Sequence, residues 1–167
     1  PGAENSPASP DHAAARATLA LVVTGACFVL LGGLVAAITG PLDLEDGSWL
    51  AAYLVLVCGV SQYAMGRVRW LQGNGFPSSP SSVWWQFAAW NAGNAAVILG
   101  TLAVGTLMVI AGSALLVFAL LIALRASWHS EPPPGRAPAL IIWIYRVMLI
   151  ILAVSIPVGI LLSLLRN

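Results

Sequence analysis

Three carboxamides and a group of tryptophans are the residues best placed to do chemistry in this chain. Asn91 and Asn94 stand three residues apart and share a helix face, with Gln86 about a turn and a half earlier. Trp84, Trp85 and Trp90 accompany them. In hydrocarbon, amides seek hydrogen-bond partners on neighbouring helices. They then serve either as ties between helices or as a polar lining for a quinone, a lipid headgroup or another solute. Gln62 and Tyr63, in a separate apolar segment, can complete such a lining, since both donate hydrogen bonds. The candidate packing or ligand-lining set is therefore Gln62, Tyr63, Trp90, Asn91 and Asn94. A second candidate is Tyr145 with Arg146, which can contact a lipid phosphate or an acidic group of another subunit, or simply anchor a helix at the interface.

The inventory for acid–base or metal chemistry is thin. Ionisable groups inside a membrane are functional candidates by default, and Arg146 is the one such group expected within or near a span. No Asp, Glu, His or Lys falls inside an apolar segment, which argues against a proton-coupled transporter. His12 and His129 lie outside the spans and there is no HExxH, which argues against a bis-His haem or a metalloprotease. Asp43, Glu45 and Asp46 crowd one short loop, but three carboxylates fall short of a calcium ligand set, so a solvated acidic turn is expected. Cys27 and Cys58 lack CxxC spacing and read as small apolar residues. Thr24-Gly25-Ala26-Cys27 loosely resembles a lipoprotein cleavage box, but the apolar run continues well past Cys27, which rules out a lipid-modified or cleaved leader. These residues predict no catalytic set, no metal site and no cofactor. The stretch Trp90-Asn91-Ala92-Gly93-Asn94 resembles the start of helix pairs in small haem–copper-oxidase-like membrane proteins. That resemblance implies haem or metal held by histidines within spans; no histidine lies there, so no ligand function carries over and no family is assigned.

The elements that must position these residues follow from the apolar runs. The 42 residues from Val83 to Leu124 contain no Asp, Glu, Lys, Arg or His. A single helix of that length would extend about 60 Å, twice a bilayer core, so the segment is expected to fold back near Gly105-Thr106 as a membrane hairpin. Hydrophobic residues make up 59% of the chain and charged ones 8%, with a mean hydropathy of +0.90. Soluble domains carry about 25% charged residues, so the chain belongs to the membrane class. The expected fold is an all-α integral membrane protein, a five-span helical bundle with spans at about 17–39, 48–66, 83–104, 106–126 and 139–165. The alternative is four spans plus one helix lying along the interface. Residues 1–13 form an expected mobile polar tail, and 14–167 a single transmembrane domain.

Small residues mark where helices can approach. Gly25, Gly32, Gly33 and Ala36 lie in span 1; Ala89, Gly93, Ala96 and Gly100 recur at i, i+4, i+7 and i+11 in span 3; Gly112, Ser113 and Ala119 offer a matching surface in span 4. Gly59, Tyr63 and Gly66 share a face of span 2, and Pro157 is expected to kink span 5. Trp49, Trp84 and Trp85 suit the membrane interface. A net charge of +1 leaves no basic surface for nucleic acid. All seven cations are Arg, which with abundant Ala, Gly and Val points to a GC-rich bacterial genome.

These features predict a non-catalytic accessory or scaffolding subunit of a larger plasma-membrane complex (respiratory, transport or envelope-building). Its partners would be the lipid bilayer and other membrane subunits, met through the small-residue stripes. The alternative is a small protein that binds or transports a lipid, quinone or other apolar solute. Orientation follows from arginine placement. Arg16, Arg67, Arg69, Arg125 and Arg136 fall on one side and Arg146 near it, with Arg166 alone opposite, so the N-terminus is expected in the cytoplasm. A cysteine replacing Glu45 should then react with a membrane-impermeant maleimide added to intact cells. One replacing Ser79 should react only after permeabilisation, and the reverse pattern would overturn the orientation.

Overall fold

The computed structural model describes residues 10–72, 79–128 and 136–165, with side chains described for 12–71, 79, 81–103, 105–128 and 139–156. It is all-helical, with five helices: α1 (Pro10–Thr39), α2 (47–72), α3 (80–104), α4 (Thr106–Trp128) and α5 (Arg136–Leu165). Residues 1–9 of the expected tail, His129 and Arg166 lie outside the described residues; Pro10–Ala13, which the sequence assigns to the tail, form the first turn of α1. Pro157 was expected to kink the last helix, and the helical backbone of α5 continues through it.

Four helical segments, His12–Thr39, Gly47–Leu71, Thr106–Trp128 and Ala139–Ile156, are long and apolar enough to cross a membrane. This is the build of a multi-pass membrane protein. The exception is α3. Its length suffices, but Ser81, Ser82, Gln86, Asn91 and Asn94 lower its apolar content. It nonetheless has a continuous buried stripe: Val83, Gln86, Ala89, Trp90, Gly93, Asn94, Val97 and Gly100 recur at helical spacing on its covered side. The α2, α3 and α4 helices share the main core, in which Met65, Val68, Trp90, Leu116, Leu120 and Leu149 pack together. The first helix covers α2 and α3, where Ala17 and Leu21 meet Val83. The last helix packs on α4 and on the distal half of α2, bringing Tyr145 and Leu149 into the core.

The connections follow from local chemistry. Gly105 has φ +100°, a left-handed conformation natural to glycine, and α4 begins at the next residue, so the hairpin turns where the sequence predicts. The acidic loop closes through Leu44 N–H to Thr39 C=O (3.0 Å), with Asp43 at φ +48°, a conformation that a short polar side chain tolerates. Ser79 caps α3 by accepting from Ser82 N–H (3.4 Å), with Pro80 in the first turn. Two stretches widen to π-helix, Leu54–Ser61 within α2 and Gly100–Val104 at the end of α3. In the first, the Ser61 hydroxyl donates to Leu56 C=O five residues back, at 2.9 Å.

Two helix pairs rest on glycine contacts. Between α1 and α2, a Cβ at Gly25 would stand 2.5 Å from Tyr63 N, and one at Gly59 would stand 2.9 Å from Val29 N. Between α3 and α4, a Cβ at Gly93 would lie 2.8 Å from Gly112 O, and one at Gly112 would lie 2.7 Å from Gly93 O. Backbones this close gain dispersion that lipid tails cannot match. Gly33 differs, since nothing lies within 4 Å of a Cβ added there. Gly112→Leu should therefore destabilise the bundle by about 1–3 kcal/mol or more. Gly33→Ala should stabilise it by up to about 1 kcal/mol through helix propensity. Thermal unfolding in mild detergent reads both signs.

Candidate functional site

The polar side chains of α2 and α3 form a seam through the bundle interior. The two helices run antiparallel, and the seam is defined at three levels. At one end Tyr53 Oη donates to Asn94 Oδ1 (2.9 Å), and Asn94 Nδ2 donates back to Trp90 C=O (2.9 Å) within its own helix. Trp49 stacks on Tyr53 with ring centroids 5.3 Å apart, extending the polar end with aromatic cover. At the other end Arg69 donates to Gln86 Oε1, and Gln86 Nε2 reaches Met65 Sδ at 3.2 Å. Between the two lie Gln62 and Trp90, both fully buried. From Tyr53 to Arg69 is sixteen residues, about 24 Å along the helix axis and most of a hydrocarbon thickness.

Sequence dictates this arrangement locally. Cys58, Gln62, Met65 and Arg69 recur at i, i+4, i+7 and i+11 and all are buried, so they occupy one face of α2. Gln86, Trp90 and Asn94 recur at i, i+4 and i+8 and occupy one face of α3. The Arg69 guanidinium is 5% exposed, so its bond to an amide oxygen matters far more than it would at the surface. Tyr145 of α5 is buried in the same core.

Of the expected five-residue lining, Trp90 and Asn94 are buried together on α3, and Gln62 is buried on the α2 face that carries Met65 and Arg69. Tyr63 does not join them: it is 41% exposed and its backbone packs on Gly25 of α1, around the helix from Gln62. Its predicted association with Gly59 and Gly66 explains this, because that glycine face is the one that meets α1. Asn91 is half-buried, and its Nδ2 donates to Phe87 C=O (2.8 Å) one turn back, so its amide is engaged within α3.

Arg146 and Tyr145 part company in the same way. Tyr145 points into the core, whereas Arg146 is half-buried against the end of α4. Arg146 Nε donates to Ser127 Oγ at 3.0 Å, and its Nη2 donates to Ser127 C=O. A cation on the last-turn carbonyls of a helix satisfies orphan acceptors and suits the negative end of the dipole. Arg146 thus ties α5 to the C-terminus of α4.

Arg69 is the residue that sequence reasoning missed. The expected span ends at about residue 66, which leaves Arg69 just beyond it. Its signal was present in the seven-residue spacing from Gln62, which continues the amide face. Arg67, two residues earlier, turns outward and lies over the Trp70 ring at 5.6 Å, as an interfacial cation does. Asp43, Glu45 and Asp46 are exposed, and among the described residues no group of three His, Cys, Asp or Glu side chains is placed to hold a metal ion.

No protein-family model, no curated protein and no solved structure matches this chain.

The Arg69–Gln86 tie has a direct energetic consequence. Gln86→Leu removes an acceptor from a buried guanidinium and should cost about 1.5–3 kcal/mol. A double-mutant cycle with Arg69→Met, read by thermal unfolding, should give a coupling above about 0.5 kcal/mol. Strictly additive effects would mean that the two side chains do not stabilise one another.

Proposed function

We propose that this chain is a non-catalytic accessory or scaffolding subunit of a larger plasma-membrane complex. In this reading all five helices cross the bilayer, α3 with its polar stripe turned into the bundle, and the N-terminus is cytoplasmic. The observation that carries the reading is the second small-residue face of α1. Gly25 and Gly32 pack closely on α2, whereas Gly33 within α1 and Gly40 just past its end meet nothing within 4 Å of an added Cβ. An internal helix glycine costs about 0.8–1 kcal/mol relative to alanine. In a membrane that cost is offset where another backbone packs against the glycine. Gly33, Ala36 and Gly40 line an open groove of about 590 Å³ with Ser48 and Ala52 of α2. A transmembrane helix of a neighbouring subunit is the occupant that suits so shallow and small-sided a surface.

Binding or transport of a lipid, quinone or other apolar solute through Trp90, Asn91 and Asn94 has less support. The amides of Asn91 and Asn94 are already engaged, one within α3 and the other with Trp90 C=O and Tyr53.

The test is co-purification from native membranes in gentle detergent. Wild-type chain should carry partner subunits at fixed stoichiometry. Gly33→Leu should lower partner recovery by more than about tenfold, a change worth roughly 1.4 kcal/mol, without lowering the thermal midpoint of the isolated chain. A wild-type chain that emerges as a stable, monodisperse monomer with no companion protein would overturn the reading.

A further inference from the structure

We propose that Arg67 and Trp70, on the outward side of α2, bind the phosphate of an anionic phospholipid in the surrounding membrane leaflet. Arg67 lies inside the apolar segment Gly47–Leu71, four residues before its end, yet its side chain is exposed. Its guanidinium carbon stands 5.6 Å from the centre of the Trp70 ring. Among the described residues no oxygen accepts from it.

Depth sets what the guanidinium can meet. Tryptophan favours the headgroup level of a bilayer. Trp70, Trp84, Trp85 and Trp128 are all exposed at this end of the bundle. Trp70 is one turn farther out than Arg67, about 4.5 Å along the helix. The Arg67 backbone therefore lies at the edge of the hydrocarbon, and its long stem carries the charge outward to the ring. That is the level of the lipid phosphates. A cation over an aromatic ring is held without using its N–H groups, so the guanidinium donors remain for an acceptor. A phosphate accepts two of them side by side.

Charge selects the lipid. Ala17 and Leu21 of α1 meet Val83 of α3, and Arg69 of α2 donates to Gln86. The start of α1, the end of α2 and the start of α3 thus form one end of the bundle. The α3–α4 hairpin brings the end of α4 there, and Ser127 holds Arg146 beside it. Arg16, Arg67, Arg69, Arg125 and Arg146 all lie at this end. The acidic side chains that the structure describes, Asp43, Glu45 and Asp46, lie at the other. A headgroup with net negative charge gains from this whole field, and a zwitterionic one gains from the phosphate contact alone. The same order, tryptophan outside and arginine one turn inside, recurs at Trp128 and Arg125 of α4 and at Trp143 and Arg146 of α5. Arg146 is tied to Ser127, whereas the described partner of Arg67 is an aromatic ring. The site depends neither on which side of the membrane this end faces nor on the subunit proposal.

The experiment titrates the full chain in detergent with phosphatidylglycerol or phosphatidylcholine of the same acyl chains and counts bound lipids by native mass spectrometry. The wild-type chain should prefer phosphatidylglycerol by about fivefold or more. Arg67→Gln should lower phosphatidylglycerol affinity by about fivefold without lowering the thermal midpoint. Trp70→Leu should weaken both lipids. Arg16→Gln removes another exposed charge from the same end and should have a smaller effect, because charge at a distance is screened. Excess glycerol 3-phosphate should not displace the lipid, since it lacks the chains that hold a headgroup at this depth. Equal binding of the two lipids by the wild-type chain would overturn the proposal. So would a loss in Arg16→Gln as large as that in Arg67→Gln, or displacement by glycerol 3-phosphate, which would mark a soluble anion as the ligand. Should Arg67→Gln fail to fold, the wild-type preference and Trp70→Leu decide.

Discussion

Hydrocarbon offers no hydrogen-bond partners, and α3 is the helix on which that constraint falls hardest. It carries Gln86, Asn91, Asn94 and the Trp90 indole within little more than two turns. Exposed to lipid tails, each of these groups would lose several kilocalories of solvation. The remaining helices are arranged so that most do not face lipid. The second helix supplies Tyr53, Met65 and Arg69 to the buried face of α3, while the fourth packs its glycine side by direct backbone approach. Helices α1 and α5 then cover the joints, and their own outer faces are largely apolar. The facing of the polar stripes of α2 and α3 is thus a single solution to one solvation problem.

Two kinds of contact carry out that solution, and they do different work. Glycine contacts bring backbones close and gain dispersion, but they do not select register strongly, because one small residue resembles another. Polar ties are directional. Tyr53–Asn94 and Arg69–Gln86 lock α2 against α3 at two levels, eight residues or about 12 Å apart along α3, so sliding or rotating either helix breaks both. Arg146 performs the same service for α4 and α5 through Ser127. In water such ties would add little, since solvent competes for each group. Inside a bundle the alternative to a correct tie is an unpaired polar atom, so these bonds disfavour wrong packings more than they strengthen the right one.

Much of this architecture is legible in the sequence, for identifiable reasons. Long charge-free runs set the helices, and the 42-residue stretch forces a turn that only Gly105 makes easily. The α3 small-residue stripe, Ala89, Gly93, Ala96 and Gly100, foretells close packing, and Gly93 and Gly100 do meet α4. The site is less legible. Gln62 and Tyr63 are neighbours in sequence, but about 100° of helical rotation separates them, and only Gln62 faces α3. Asn91 and Asn94 share a face by spacing, yet Asn91 bonds back to its own helix, a choice no periodicity reveals. Arg69 illustrates the larger limit. A charge at a span's edge ordinarily marks the interface, and only the packing of α3 beside it shows that this one is buried.

The placement of polar groups bears on what the chain can do. In a transporter or membrane enzyme, at least some interior polar groups must be free to exchange partners as substrate passes. Here Asn91, Asn94, Gln86 and Arg146 each hold a defined bond, and several of those bonds join different helices. A group that maintains the bundle cannot also release and rebind a solute without loosening the helices it joins. On the outside, a Cβ added at Gly33 or Gly40 would meet nothing within 4 Å. Under the proposed reading, a firmly tied interior and an outer surface open to close approach suit a subunit that offers a fixed surface to others. Such a protein contributes through the shape it holds, so its sequence would tolerate replacement of lipid-facing leucines far better than an added methyl group in the glycine contacts between α3 and α4.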